Sequence, residues 1–167
     1  MISPRDSVYK EIAGFLRKIT KSDNIYNIRY MKTKPNGDRI EYILDNFVAT
    51  SQSYKTRNVT DDDLYVGSIN EYRCQLKIRV VNSNELLADN IINSISGALH
   101  TNEYVESYIS RLYIEPATIR VRSTMFVNDG LISFIPEIIV DCYIADDISF
   151  SVGYFDKLED TQIDIKE

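Results

Sequence analysis

The stretch YRCQLKIRVVNSNELLADNIINSISGALH, residues 72–100, holds two periodicities separated by a few positions. Tyr72, Cys74, Leu76, Ile78 and Val80 alternate with Arg73, Gln75, Lys77 and Arg79, the period of an extended strand with one dry face. From Leu86 the apolar residues move to Leu87, Ile91, Ile95, Ala98 and Leu99, which is helical spacing, and Asn82 with Glu85 forms a capping pair at its start. A strand therefore feeds a helix through a very short turn. A phosphate-binding turn at such a join is rich in glycine, because backbone amides must approach the ligand closely. Here the join reads Val-Asn-Ser-Asn, residues 81–84, and its chemistry is that of a structural cap.

Working outward, SPRDSVYKEIAGFLRKI (3–19) predicts a first helix: Ser3 as N-cap, Pro4 at the first helical position, and Val8, Ile12, Phe15, Leu16 and Ile19 along one face. A strand over Ile25 to Lys32, the turn residues Lys34 to Asp38, and a strand over Arg39 to Ala49 predict a hairpin. The polar segment 50–68, TSQSYKTRNVTDDDLYVGS, has no period and is expected as a long exposed loop. Downstream, a strand over Leu112 to Val127 broken or bulged near Pro116, a turn at Asn128-Asp129-Gly130 and the strand FIPEIIVDCYIAD (134–146) predict a second hairpin, with Pro136 at an edge or a bulge. From Asp146 the chain runs on with no clear period after Phe155, and an extended arm is expected there. These elements describe an α+β domain over residues 1–150, an antiparallel sheet of mixed order with helices on one face, followed by a C-terminal arm over 151–167.

Composition narrows the chemistry. With 167 residues, 44% hydrophobic and 26% charged, the chain is expected to form a single soluble core. No apolar run reaches the roughly 20 residues that span a bilayer, and MISPRDSVYKEI lacks the apolar centre of a secretory signal. Cys74 and Cys142 both fall at apolar positions of strands, as reduced core thiols in a cytoplasmic setting would. A net charge of -6 opposes gripping nucleic acid by overall attraction. The single histidine, His100, follows a helix and is expected as a C-terminal cap, which leaves few metal or acid-base schemes. No Ser-His-Asp, Cys-His, HExxH, Walker or GxGxxG arrangement is present, so neither catalysis nor a metal or cofactor is expected.

Two charged sets stand out. Asp61, Asp62 and Asp63 lack the spacing and glycine of a calcium loop, so they are expected to be solvated or to face a neighbouring subunit. Arg73, Lys77 and Arg79 on one strand, with Arg120 and Arg122 on another, would form one basic stripe if the strands were adjacent. Such a stripe is either a solvated sheet face or a partner surface, and an RNA or protein partner is the alternative function it allows. Twelve tyrosines with no tryptophan fit interfaces as well as sheets.

The N-terminal helix, the first hairpin, the VVNSNELLADNIINSISGAL unit (80–99) and the closing RLYIEPATIRVRSTMFVNDGLISFIPEIIVDCYI hairpin (111–144) together resemble the neck and tail-terminator proteins of tailed bacteriophages, especially the neck-terminator type. That resemblance implies a non-catalytic virion protein, made in the bacterial cytoplasm, whose α+β subunits form a hexameric ring. Such a ring ends polymerisation of the tail tube or sheath and meets the head-tail connector, while DNA passes through its opening without sequence-specific binding. Rings need heterologous contacts, for which the acidic triplet and the basic stripe are the candidate surfaces, either between subunits or at the lumen.

Overall fold

At the strand-to-helix join, the backbone leaves the sheet under the control of two asparagines. The computed structural model describes residues 4–60 and 63–151. Its elements are α1 (Pro4–Thr20), β1 (Ile25–Asn27), a 3-10 turn (Ile28–Tyr30), β2 (Arg39–Thr60), β3 (Asp63–Val81), α2 (Glu85–Leu99), α3 (Asn102–Glu106), β4 (Leu112–Ile114), a 3-10 turn (Pro116–Thr118), β5 (Arg120–Asn128) and β6 (Leu131–Ser151). Asn82 Oδ1 accepts from the Asn84 N–H at 2.8 Å, and Asn84 Oδ1 accepts from the Leu87 N–H at 3.1 Å. The helix cap is therefore Asn84, whereas the sequence had pointed to Asn82 paired with Glu85. Asn82 instead closes an Asx turn that swings the chain out of β3. Asp38 adds a restraint by accepting from the Ser83 N–H at 2.8 Å. The buried stripe of α2 accordingly runs Ala88, Ile92, Ile95 and Leu99, while Leu87 is 46% exposed.

The sheet runs in the order β1-β2-β3-β6-β4, with β5 also beside β6, and mixes parallel and antiparallel pairs. With helices on one side, this is an α+β fold. The chain divides into two units, Met1–Val48 with Arg73–Ile144, and Ala49–Tyr72 with Ala145–Glu167. In the first unit the core lies between the helices and one sheet face. Val8, Ile12, Phe15 and Leu16 of α1 and the α2 stripe join a single cluster with Leu44, Leu76, Ile78, Ile138, Val140 and Ile144. Phe15 also meets the rings of Tyr104 and Tyr108 at 6.1 and 6.3 Å, which seats α3 against α1. Cys74 and Cys142 are buried within this core and form no disulfide, as their strand positions predicted. His100 caps α2, its Nδ1 lying 2.7 Å from the Ser96 carbonyl oxygen. The Ser3 cap proposed for α1 lies outside the described residues.

Two sequence expectations change. Turn chemistry between Arg29 and Arg39 exists, with Gly37 at φ 86°, yet it does not close a hairpin. β1 is only three residues long and pairs parallel to β2, Ile25 opposite Ile40 and Asn27 opposite Tyr42. Asn27 explains the difference: its Oδ1 accepts from the Arg29 N–H at 3.0 Å and starts a 3-10 turn, so the chain leaves the sheet early and must return in its original direction. The second change concerns segment 50–68. β2 continues to Thr60 and β3 begins at Asp63, so strand replaces the expected exposed loop. Thr50, Tyr54, Thr56, Val59, Tyr65 and Val66 supply β-propensity there without alternating hydrophobicity, and a period search is blind to that combination. Within this second unit, Thr50 Oγ1 donates to the Glu71 carbonyl at 3.0 Å across the β2–β3 pair.

The remaining expectations divide. Pro116 breaks the strand as predicted, separating β4 from β5 by a 3-10 turn. Asp129 at φ 50° and Gly130 at φ 79° make the tight hairpin turn into β6. Pro136 lies opposite Ser123 with no slip in register along that hairpin, so of the two expected settings, an edge or a bulge, the bulge does not form there. β6 runs on to Ser151, and of the arm expected over 151–167 all but Ser151 lies outside the described residues.

Candidate functional site

The face of the first unit's sheet turned away from the helices carries its chemistry. The predicted basic stripe required β3 and β5 to be neighbours, but β6 lies between them. β6 brings Glu137 and Asp141 into the gap, on the opposite strand face from Ile138, Val140 and Cys142. Arg122 stands directly opposite Glu137 in the β5–β6 ladder, with its Nε 2.7 Å from Glu137 Oε2. Arg79 approaches from β3, its Nε 2.8 Å from Oε1 of the same carboxylate. Glu137 is fully buried, with 0% of its side chain exposed, and both its oxygens are engaged.

Asp141 repeats the arrangement one step along. Arg73 bonds its Oδ2, and Gln75 Nε2 donates to Oδ1 at 3.0 Å. Its backbone is held as well, the N–H donating to Thr118 Oγ1 at 2.9 Å and the carbonyl accepting from the Glu115 N–H at 3.0 Å. The pairs Arg79–Glu137 and Gln75–Asp141 run in opposite chain senses, as expected of antiparallel neighbours. Lys77 turns the other way and reaches Asp45 of β2 at 3.0 Å. Arg39 and Glu41 form a further pair on β2 at 2.6 Å, with side chains 6% and 9% exposed. Arg120, opposite Ile139 in the ladder, contributes positive potential at Asp141. The Arg79 guanidinium also lies 6.0 Å from the Phe126 ring centre.

The electrostatics follow from these contacts. Burial alone would raise the Glu137 carboxyl, but the hydrogen bonds from Arg122 and Arg79 outweigh it and hold the group below its usual range. The Arg73 hydrogen bond lowers Asp141 against the effect of burial, with Gln75 assisting. Lys77, helped by the Asn46 amide, lowers Asp45. A general acid or base needs a pKa near the working pH, and all three carboxylates are driven away from it. The Cys142 thiol is pushed well up by burial, which opposes thiolate chemistry. Among the described residues no group of three or more His, Cys, Asp or Glu side chains is placed to hold a metal ion. No helix among them is long and apolar enough to cross a membrane.

Four of the basic residues singled out in the sequence, Arg73, Lys77, Arg79 and Arg122, thus each bond a carboxylate, Arg79 and Arg122 sharing Glu137, and the fifth, Arg120, faces one at longer range. The stripe is an ion-pair lattice. Asp61 and Asp62 lie outside the described residues, as does the side chain of Asp63, whose backbone opens β3. Sequence reasoning passed over Glu137, Asp141 and Asp45. The signal was present in FIPEIIVDCYI, where Glu137 and Asp141 share a parity opposite to the apolar set, but only knowledge of the neighbouring strands gives it meaning. Comparison with known proteins adds no relative: no family model matches the chain, and no curated protein matches it.

Proposed function

We propose that this chain is a structural subunit of a tailed-phage particle, a ring protein at the head-proximal end of the tail that stops tail polymerisation and joins the tail to the head connector. The observation that carries this reading is strand length. β2, β3 and β6 have 22, 19 and 21 residues, against about 3–10 for most strands in globular proteins. All three described helices belong to the first unit, while the strands continue through Ala49–Thr60, Asp63–Tyr72 and Ala145–Ser151 of the second. Main-chain ladder of that extent suits a protein that builds shared surfaces with copies of itself and with tail tube or sheath subunits.

The charged face supports the same reading over an RNA-binding module. Phosphate binding needs cations free to meet phosphate, and here Arg73, Arg79 and Arg122 are each held by Glu137 or Asp141. In this reading the protein works in the virion neck, without catalysis or cofactor, and DNA passes through the ring without being read. The acidic triplet Asp61, Asp62 and Asp63 then serves either a subunit interface or a lumen that repels phosphate. Purified full-length protein mixed with tail tubes that lack their terminator is expected to add a closed ring at one tube end and to halt growth, as seen by electron microscopy. Tubes that keep elongating with no added density overturn the reading.

A further inference from the structure

The β5–β6 hairpin gathers a run of exposed apolar side chains on one face. Met125 (58% exposed) stands opposite Phe134 (52%), and Val127 (65%) opposite Ile132 (61%). The same row begins with Val121 opposite Ile138, and Ile138 belongs to the core beneath the helices. The dry face of the sheet therefore continues along the hairpin past the cover that the helices provide.

A second feature of the same strand is its edge. Among the described residues β5 has one strand partner, β6, so the other side of Arg120–Asn128 presents unpaired main-chain donors and acceptors. Proteins normally blunt such edges with proline, a bulge, or charges spread along the strand. β5 contains no proline, its register with β6 is unbroken from Arg120 to Asn128, and its charges are confined to Arg120 and Arg122 at one end.

We infer that β5 is a self-association edge, onto which a second copy of this chain adds its own β5 in antiparallel fashion about a two-fold axis. Length selects the register, since only an axis at Thr124, the midpoint of Arg120–Asn128, pairs all nine residues of β5 with their counterparts. The fit of the strand's apolar row and charges to themselves argues for a second copy as the occupant. With the axis at Thr124, Val121 meets Val127 of the second copy, Ser123 meets Met125, Arg122 meets Phe126, and Thr124 meets itself. No like charges face each other in that register, and the two apolar faces become continuous. An axis at Arg122 sets Arg122 against Arg122, and one at Val121 sets Arg120 against Arg122. Like charges directly opposite are destabilising, so the strand's own sequence discourages those slips. The main-chain bonds and apolar contacts supply affinity, in the manner of strand addition to an open sheet edge. The pairing is isologous, distinct from the heterologous contacts that close a ring, and does not depend on the phage reading.

Sedimentation equilibrium of the full chain tests it. Wild-type protein is expected to show a concentration-dependent dimer, and hydrogen exchange of the β5 amides is expected to slow as the dimer fills. Thr124→Lys and Thr124→Asp each place like charges at the axis and are expected to weaken the dimer by about fivefold in Kd. An equimolar mixture of the two variants is expected to recover association, which only a contact of residue 124 with itself produces. Circular dichroism establishes that both variants are folded, and the wild-type exchange measurement stands without them. A wild-type monomer at every concentration, association with β5 amides unprotected, insensitivity to both variants, or a mixture that associates no better than either alone would each overturn the proposal.

Discussion

The two faces of the first unit's sheet bury residues by different means. On the helix side Leu76, Ile78, Ile138 and Val140 are at most 1% exposed, under α1 and α2, and that burial yields a non-directional gain of roughly 2 kcal/mol per side chain. On the other side Glu137 and Asp141 are buried by arginines from the flanking strands, so each carboxylate's loss of water is offset only if its partners stand in the right place. The first arrangement tolerates repacking, whereas the second specifies which strand lies next to which. A charged face of this kind contributes less to net stability and more to the choice of strand order.

Substitutions that carry the chemistry of one face onto the other probe this contrast. The largest effect is expected from Leu76→Asp, which sets an unpaired carboxylate among aliphatic side chains and costs about 5 kcal/mol. Denaturant unfolding measures it, and an unchanged midpoint would mean that Leu76 does not face the helices. Glu137→Gln keeps the shape but leaves Arg79 and Arg122 without their counter-charge, at a cost of about 3 kcal/mol in the same assay. A neutral result there would show that the arginines reach solvent at no cost.

Ile139→Asp sharpens the comparison because Ile139 is aliphatic like Leu76 but stands on the other face. Ile139 is 7% exposed but lies on the charged face opposite Arg120, so an aspartate finds a cation there and the loss is expected to be about 2 kcal/mol, well below that of Leu76→Asp. The pH profile separates the faces without mutation. The folded-state carboxyls of Glu137 and Asp141 lie below their unfolded values, so their contribution is fully present above the unfolded carboxylate range, about 4 to 4.5. It is lost as pH falls through the depressed folded values. Unfolding free energy is expected to drop on acidification below pH ~5, and Glu137→Gln is expected to flatten that slope. The smallest effect belongs to Asp45→Asn, since the Lys77 pair is partly exposed; less than about 1 kcal/mol is expected, and added salt should shrink it further.

Local signals carried much of the fold. The alternation of β3, the apolar stripe of α1, the break at Pro116 and the turn at Asp129-Gly130 all appear where the sequence placed them. The junction into α2 was legible to within two residues, Asn84 capping where Asn82 was expected, because either asparagine satisfies the same local pattern. The long strands through segment 50–68 were not legible, since a strand that is polar on both faces has β-propensity but no hydrophobic period. The candidate site was half visible: its arginines stood out, and its carboxylates did not.

By itself the sequence determined the elements that carry a hydrophobic period, and which side of each would be dry, because dihedral preferences and periodicity act over a few neighbours. Tertiary structure alone decided the neighbours. Asn27 ends β1 early and the chain returns parallel to it, so similar turn chemistry closes a hairpin at Asp129-Gly130 but not at Gly37. The insertion of β6 between β3 and β5 likewise turned a predicted basic stripe into an ion-pair lattice. Strand order joins residues such as Arg79 and Glu137 that are far apart in the chain, and no local period records a pairing formed only when distant segments meet.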